Sequence, residues 1–342
     1  MATSYAKDQP AGFKNRIENV AIVGAGGQCG KFIVDALLKK GHFRVTALTR
    51  HDSLNVIAEG VEVKKVDYNE PSTLVEALKG QDVLIVTLAV TATDEAEKLN
   101  VAAAEAGVPW VLPNEFGGNA ANESADQDTM IGLAKKKIRD QIEQLGKSSW
   151  IGIACGFWYE YSLSCGLWSY GFDINNREVT FYDDGTQRMD TSTWNKTALG
   201  VASLLSLKVI PEDANDKATH LAQFKNKMVG ISSFQVNQQE MFESLLRVTG
   251  TTRDEWKISS EPVKERFARG KQMLQTGDRN GFGILLYARM FYPDAPAIQL
   301  TNNNADLGLE QEDLDERTAE AVKMAKENYF EKVVIPRTGR RS

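Results

Sequence analysis

Asn19-Val20-Ala21-Ile22-Val23-Gly24-Ala25-Gly26-Gly27-Gln28-Cys29-Gly30-Lys31-Phe32-Ile33-Val34-Asp35-Ala36-Leu37-Leu38 is the stretch from which the rest of the chain can be read. Four apolar residues in a row, Val20 to Val23, suit a strand buried on both faces. The glycine cluster breaks that run, and Phe32 to Leu38 then has helical character. The turn between them fits Gly-x-x-Gly-x-x-Gly. Gly24 permits a tight turn, Gly27 lets a pyrophosphate approach the backbone, and Gly30 allows helix and strand to pack closely. The helix start at Gln28 and Cys29 offers free N–H groups and a positive dipole end to phosphates, so the turn is expected to hold a dinucleotide.

Outward from this unit the alternation continues. Strands are predicted at 45–49, 61–66, 82–88, 110–112 and 150–155. Helices are predicted at 71–78, opened by Pro71, at 94–106, stopped by Gly107, and at about 126–145. Strands separated by helices at this spacing imply parallel pairing, hence an α/β, doubly wound parallel sheet of the NAD(P)-binding Rossmann kind. The expected domain covers 19–156 after a solvated tail at 1–18. Further strands and helices at about 178–206 and 228–248 are expected to return to that sheet. The remaining segments, 157–177, 207–227 and 249–342, are expected to form a smaller mixed α/β region that grips the substrate and ends in a C-terminal helix.

Composition narrows the function. The 342 residues carry 40 Lys+Arg against 46 Asp+Glu, a formal net charge of -6, which is the wrong sign for a nucleic-acid binder. With 42% hydrophobic and 25% charged residues, the chain is that of an ordinary globular protein. No apolar run approaches the ~18 residues of a membrane span. Three cysteines and three histidines, none in ligand-like spacing, leave no metal centre or disulfide framework, and the chain reads as cytoplasmic.

The residue closing the second strand faces the adenosine ribose in such folds. Here Thr49 and Arg50 stand there, 20 residues after Gly30. A guanidinium can pair with a 2′-phosphate, and no carboxylate occupies that position to accept from a free 2′-hydroxyl, so NADPH is favoured over NADH even with Asp52 two residues on. Asp67 and Tyr68, ending the third strand, either line the adenine or, for Asp67, cap the turn before Pro71. Ala89 and Asn114, beyond the fourth and fifth strands, complete the expected cofactor positions.

The run Ala134-Lys135-Lys136-Lys137-Ile138-Arg139 looks like a solvated charge cluster until it is placed on a helix. Ile131, Ala134, Ile138, Ile142 and Leu145 form one apolar stripe. At ~100° per residue Lys135 lies about 60° from its centre, whereas Lys136 and Lys137 lie about 160° and 100° away. Lys135 therefore either snorkels along the stripe or points into a cleft, where partial desolvation tunes its acidity.

Several segments together resemble the NmrA-like and isoflavone-reductase-like family of atypical short-chain dehydrogenases. They are the glycine turn, Leu48-Thr49-Arg50, Ala102-Ala103-Ala104-Glu105-Ala106-Gly107-Val108, Leu112-Pro113-Asn114-Glu115-Phe116-Gly117, and Lys135-Lys136-Lys137-Ile138-Arg139 with Ile142-Glu143. The resemblance covers roughly residues 19–157 and continues more weakly through 234–250. It implies that an NADPH hydride reaches an aromatic substrate, and that the catalytic lysine, first of a Lys-x-Lys-x-Arg pattern, is Lys135. Asn114 stands where the family has a serine. Ordinary short-chain dehydrogenases carry a tyrosine four residues before the lysine, and here that residue is Ile131. Lys135 itself, or Lys135 through water, must then move the proton.

Directly after the sixth strand come Phe157, Trp158, Tyr159, Tyr161, Trp168, Tyr170 and Phe172, seven aromatics in a chain that averages 8%. Some must be core. Phe157, Trp158 and Tyr161 are expected to line a pocket for a flat, apolar molecule, with Glu115 and Phe116 facing the same space, although Glu115 could equally be a structural partner. The expected function is therefore NADPH-dependent reduction of a small aromatic or conjugated compound with Lys135 as acid/base. The alternative is an NADP-binding redox sensor acting through a protein partner without turnover. Neither nucleic acid nor membrane is an expected partner, whereas a homodimer is compatible with either function.

Overall fold

The computed structural model describes residues 4–118, 123–129, 131–294 and 302–334. Its first half alternates β1 (Asn19–Val23), α1 (Gln28–Lys40), β2 (Arg44–Arg50), β3 (Glu62–Val66), α2 (Pro71–Leu78), β4 (Val83–Val86), α3 (Thr93–Ala106) and β5 (Trp110–Leu112). Then follow α4 (Glu123–Thr129), α5 (Ile131–Leu145), β6 (Ser149–Ala154), β7 (Phe157–Trp158), α6 (Tyr159–Ser164), β8 (Phe172–Asp173), β9 (Glu178–Tyr182) and β10 (Met189–Ser192). The last third holds α7 (Trp194–Leu205), β11 (Lys227–Gly230), β12 (Phe234–Val236), α8 (Gln238–Thr249), β13 (Lys257–Glu261), α9 (Val263–Gln275), α10 (Gly281–Met290) and α11 (Leu314–Lys326).

Seven strands form one parallel sheet in the order β11-β6-β5-β4-β1-β2-β3. The order reverses between β1 and β4, and it is there, beyond the strand C-termini, that a doubly wound sheet opens its ligand crevice. The continuous apolar runs of β1 and β4 follow from their position. Val20, Ala21, Ile22, Val83, Leu84 and Ile85 are wholly buried because helices cover both faces of the sheet. On one face α1 and α7 pack around Ile33, Leu37, Val201 and Leu205; on the other α2, α3 and α5 meet around Leu74, Leu99 and Ile142. Each such fully buried aliphatic side chain contributes about 1.5–3 kcal/mol.

A second core has different material. Tyr159, Tyr170, Phe172, Phe181, Tyr182, Phe242 and Phe291 interlock there, around two three-stranded sheets ordered β12-β10-β7 and β13-β9-β8. Four assignments differ from the sequence reading. The strand at 178–182 pairs with β13 and β8 and does not rejoin the parallel sheet; of the returning segments, α7 and β11 do join the first core, whereas α8 contributes Met241 and Phe242 to the second. Residues 207–227 pack on the first core through Leu221 and Phe224. The N-terminal segment is docked where a solvated tail was expected: Ala6 N–H donates to the Pro211 carbonyl, Asn15 bonds Ile210, and Ile17 is 2% exposed. Short-range patterning could not reveal these, because each is decided by partners some 75 to 200 residues away. Met130, within the helix expected at 126–145, lies outside the described residues, and the segments on either side of it, α4 and α5, are helical. Among the described residues no helix is long and apolar enough to cross a membrane.

Candidate active site

The glycine turn sits at the switch point. Gly24 has φ +83°, and a Cβ there would lie 2.1 Å from the Thr87 carbonyl oxygen just beyond β4. A Cβ on Gly30 would lie 2.1 Å from the Gly24 carbonyl, so α1 starts in direct contact with the turn. Gly27 differs: a Cβ there meets only the Gly24 oxygen, at 3.0 Å, and is otherwise unobstructed. Beside it the side-chain amide nitrogen of Gln28 is buried without a hydrogen-bond partner. An open approach, an unspent donor and the start of a 13-residue helix make a cradle suited to an anionic oxygen. Cys29, the second residue of α1, packs on the first core, and burial pushes its thiol well above the ordinary range.

The positions expected around the adenosine end lie along one edge. Arg50 ends β2 with its side chain 48% exposed and its guanidinium 3.4 Å from Asp52; Thr49 is half-buried. Asp67 caps its turn, its carboxylate accepting from the Asn69 N–H at 2.8 Å, while Tyr68 packs against the second face of the sheet. The loop after β2 also reaches back over the turn, since a Cβ on Gly26 would meet Asn55 Cβ at 2.7 Å and the Val56 carbonyl at 2.9 Å.

Beyond the ends of β4 and β5 lies a pocket of about 280 Å³. Ala89, Val90, Pro113, Asn114, Ile138 and Phe282 line it, with Lys135 among them. Asn114 is fixed by its side-chain N–H donating to the Leu88 carbonyl at 2.8 Å. The three lysines of α5 separate as helical geometry requires: the Lys135 side chain is 18% exposed, against 62% for Lys136 and 72% for Lys137, which pair with Asp140 and Glu97. Lys135 Nζ donates to the Glu115 carbonyl oxygen at 2.9 Å and lies 3.7 Å from the Glu115 carboxylate. One N–H is thereby used, leaving two of the three ammonium donors for a ligand.

Glu115 is 1% exposed and bonds the guanidinium of Arg139, itself buried and 5.5 Å from the Trp150 ring. Its carboxylate is part of the scaffold that aims Lys135, the structural-partner role that was one of the two expected for it, and Glu115 also lines the pocket. Arg139 was legible only as part of the Lys-x-Lys-x-Arg run. Its place one turn beyond Lys135, on the same side of α5, let it reach the same carboxylate. Phe282, from α10, carried no signal, because nothing in its local sequence ties it to a pocket 150 residues upstream.

The aromatic segment divides. Phe157 stacks on Tyr287 with centroids 4.0 Å apart, and Phe116 packs against the first core. Trp158 and Tyr161, both half-buried, meet the ring of Trp194. None of Phe116, Phe157, Trp158 and Tyr161 lines the 280 Å³ pocket. They stand on the other side of the β5–β6 strand ends, joined to it through Gly117, whose carbonyl accepts from Cys155 and Gly156 N–H and whose Cβ position is 3.4 Å from Lys135 Nζ. Among the described residues no group of three or more His, Cys, Asp or Glu side chains is arranged to hold a metal ion.

Comparison with known proteins agrees with this architecture. An oxidoreductase of Aspergillus flavus, aprR, is 29% identical over 273 residues, spanning 78% of this chain and 85% of that protein. The phenylcoumaran benzylic ether reductase TP7 of Nicotiana tabacum is 34% identical over 139 residues, 37% of this chain and 45% of its own. Among solved structures, that of AtPrR2 with NADP+ and (+)pinoresinol superposes with a TM-score of 0.72 over 90% of this chain and 99% of that one, at 19% identity, a likeness of fold. Residues 17–165, which carry the glycine turn, the Glu115 block and Lys135, match the model of the NmrA-like family.

Proposed function

We propose that this protein is an NADPH-dependent reductase of a small aromatic or conjugated compound, with Lys135 as its acid/base. The observation that carries this reading is the position of Lys135, held by Glu115 at the edge of an apolar pocket beyond the β4 and β5 ends. The relatives named as oxidoreductases and reductases support it. The Gly27 approach, the Gln28 amide and the α1 N-terminus would hold the cofactor pyrophosphate, and Arg50 its 2′-phosphate, exchanging Asp52 for a stronger anion. NADPH, when bound, supplies a hydride. Reduction of a conjugated acceptor leaves negative charge on its oxygen, which the Lys135 ammonium stabilises before giving up a proton to it. The Glu115 carboxylate 3.7 Å away helps to hold the lysine in place, and Arg139 keeps that carboxylate where it is. An apolar lining excludes competing water. This lining favours turnover over the sensor reading, for which an empty or polar crevice would be expected.

The test is a titration of purified protein with NADPH and NADH, followed by loss of nicotinamide absorbance on adding aromatic enones, ketones and phenylpropanoid-type ethers. Tight NADPH binding with substrate-dependent oxidation is expected. Lys135→Ala should lower that turnover ~10²–10⁴-fold while leaving NADPH affinity within a few-fold. Undiminished turnover in Lys135→Ala overturns the lysine's role, and tight binding without oxidation across the panel overturns the reductase reading.

A further inference from the structure

Gly26 lies outside the Gly-x-x-Gly-x-x-Gly spacing, and its backbone does not have the positive φ that would require a glycine. It lacks a side chain for a different reason. A Cβ there would stand 2.7 Å from Asn55 Cβ and 2.9 Å from the Val56 carbonyl oxygen, closer than van der Waals contact permits. The loop between β2 and β3 thus lies directly on the phosphate-binding turn. Both ends of that strap are fixed: the Ser53 N–H donates to the Arg50 carbonyl at 3.2 Å, and Ile57 packs on the first core.

Three residues sit between those anchors, and they face different ways. Leu54 and Val56 are 83% and 90% exposed. Asn55, between them, turns to the glycines, its Cγ 3.4 Å from where the Gly26 Cβ would be. Among the described residues only its backbone N–H is bonded, to Ser53 Oγ at 3.4 Å, and its carboxamide has no protein partner. Two side-chain N–H donors are thereby held over the turn beside the open approach at Gly27, with the buried, unpartnered Gln28 amide as a further donor on α1. A residue turned inward only to pack would gain more from an apolar side chain, whereas an amide beside a cradle for an anionic oxygen gains a charge-assisted hydrogen bond.

We propose that Asn55 is a cofactor-binding residue: its carboxamide donates to a diphosphate oxygen of the dinucleotide, and Gly26 lacks a side chain so that the strap can bring it there. Asn55 acts so only if this turn holds NADPH, as proposed above. One loop then carries two tasks. Arg50, at its start, meets the 2′-phosphate that only NADPH carries, and Asn55 meets the diphosphate that NADPH and NADH share.

Fluorescence titrations of NADPH and NADH against wild type, Asn55→Ala and Asn55→Asp, with adenosine 2′-monophosphate as a competing probe that lacks the diphosphate, test it. Alanine removes the donors, and aspartate also sets a carboxylate against the phosphates. Asn55→Ala is expected to weaken NADPH and NADH alike, about tenfold, and Asn55→Asp to weaken both further. In Asn55→Ala the diphosphate-free probe should stay within about twofold of wild type, and the urea unfolding midpoint of both variants should be unchanged. Unaltered dinucleotide affinity overturns the proposal, as does loss for NADPH alone or equal loss for the diphosphate-free probe. A fall in affinity matched by a fall in the urea midpoint would assign Asn55 to holding the loop, and overturns it too. Wild type that binds both dinucleotides but turns over neither across the substrate panel sinks the reductase reading and leaves the Asn55 contact standing; wild type that binds neither sinks both.

Discussion

Glu115 and Glu160 are equally buried, one in each core, and the molecule treats them in opposite ways. Glu115, just past β5 in the nucleotide-binding sheet, bonds Arg139 and lies 3.7 Å from the Lys135 ammonium. Glu160, in α6 of the aromatic region, has a backbone N–H as partner and the carboxylates of Glu312 and Glu320 as neighbours. Burial, reinforced by those like charges, raises its carboxyl to about 8. One region therefore keeps a charge in a dry place by surrounding it with cations, and the other keeps the acid neutral. The difference follows from the partners each region supplies: two cations in the first, a backbone N–H and two carboxylates in the second.

Three experiments break or sharpen that contrast. The largest effect is expected from Arg139→Met, which strands the buried Glu115 charge and should cost about 3–5 kcal/mol in urea unfolding. Adding Glu115→Gln to it should restore much of the loss, and a double variant no better than the single one would mean that Arg139 acts through packing alone. Next comes Glu160→Gln. A carboxyl with its folded pKa raised binds more protons folded than unfolded between pH 4.5 and 8, so its contribution is present at low pH and lost as pH rises through that window. From pH 5 to 8 the wild type should lose on the order of 3 kcal/mol relative to Glu160→Gln, and parallel pH profiles for the two proteins would refute a neutral Glu160. The smallest change in stability belongs to the exposed pair of Arg50 and Asp52. Arg50→Ala should leave unfolding within about 0.5 kcal/mol of wild type while weakening NADPH roughly tenfold more than NADH. Equal loss for both cofactors would remove the 2′-phosphate assignment.

The two regions also differ in how far they could be read in advance. The seven-stranded sheet was legible because each βα unit signals itself within some 20 residues: an apolar run, a turn residue, a helical stripe. The same local logic separated Lys135 from Lys136 and Lys137, since 100° per residue is a property of the helix and needs no partner. The aromatic segment gave no such periodicity. Its composition announced a cluster of rings but not which ring meets which, and the rings nearest to Trp194 come from 32, 158, 161 and 329. The docked N-terminus, the fate of 178–182 and the arrival of Phe282 at the pocket were hidden for the same reason.

By itself, then, the sequence determined the doubly wound sheet, the glycine turn at its switch point and the inward lean of Lys135, all of which depend on backbone geometry and short-range periodicity. Only the tertiary structure decided that Glu115 serves Arg139 and Lys135, that Phe157 stacks on Tyr287 while Trp158 and Tyr161 flank Trp194, and that burial raises the Glu160 carboxyl. Those outcomes depend on desolvation and on contacts between residues far apart in the chain, and a side chain's charge and exposure have no value until the groups around it are in place.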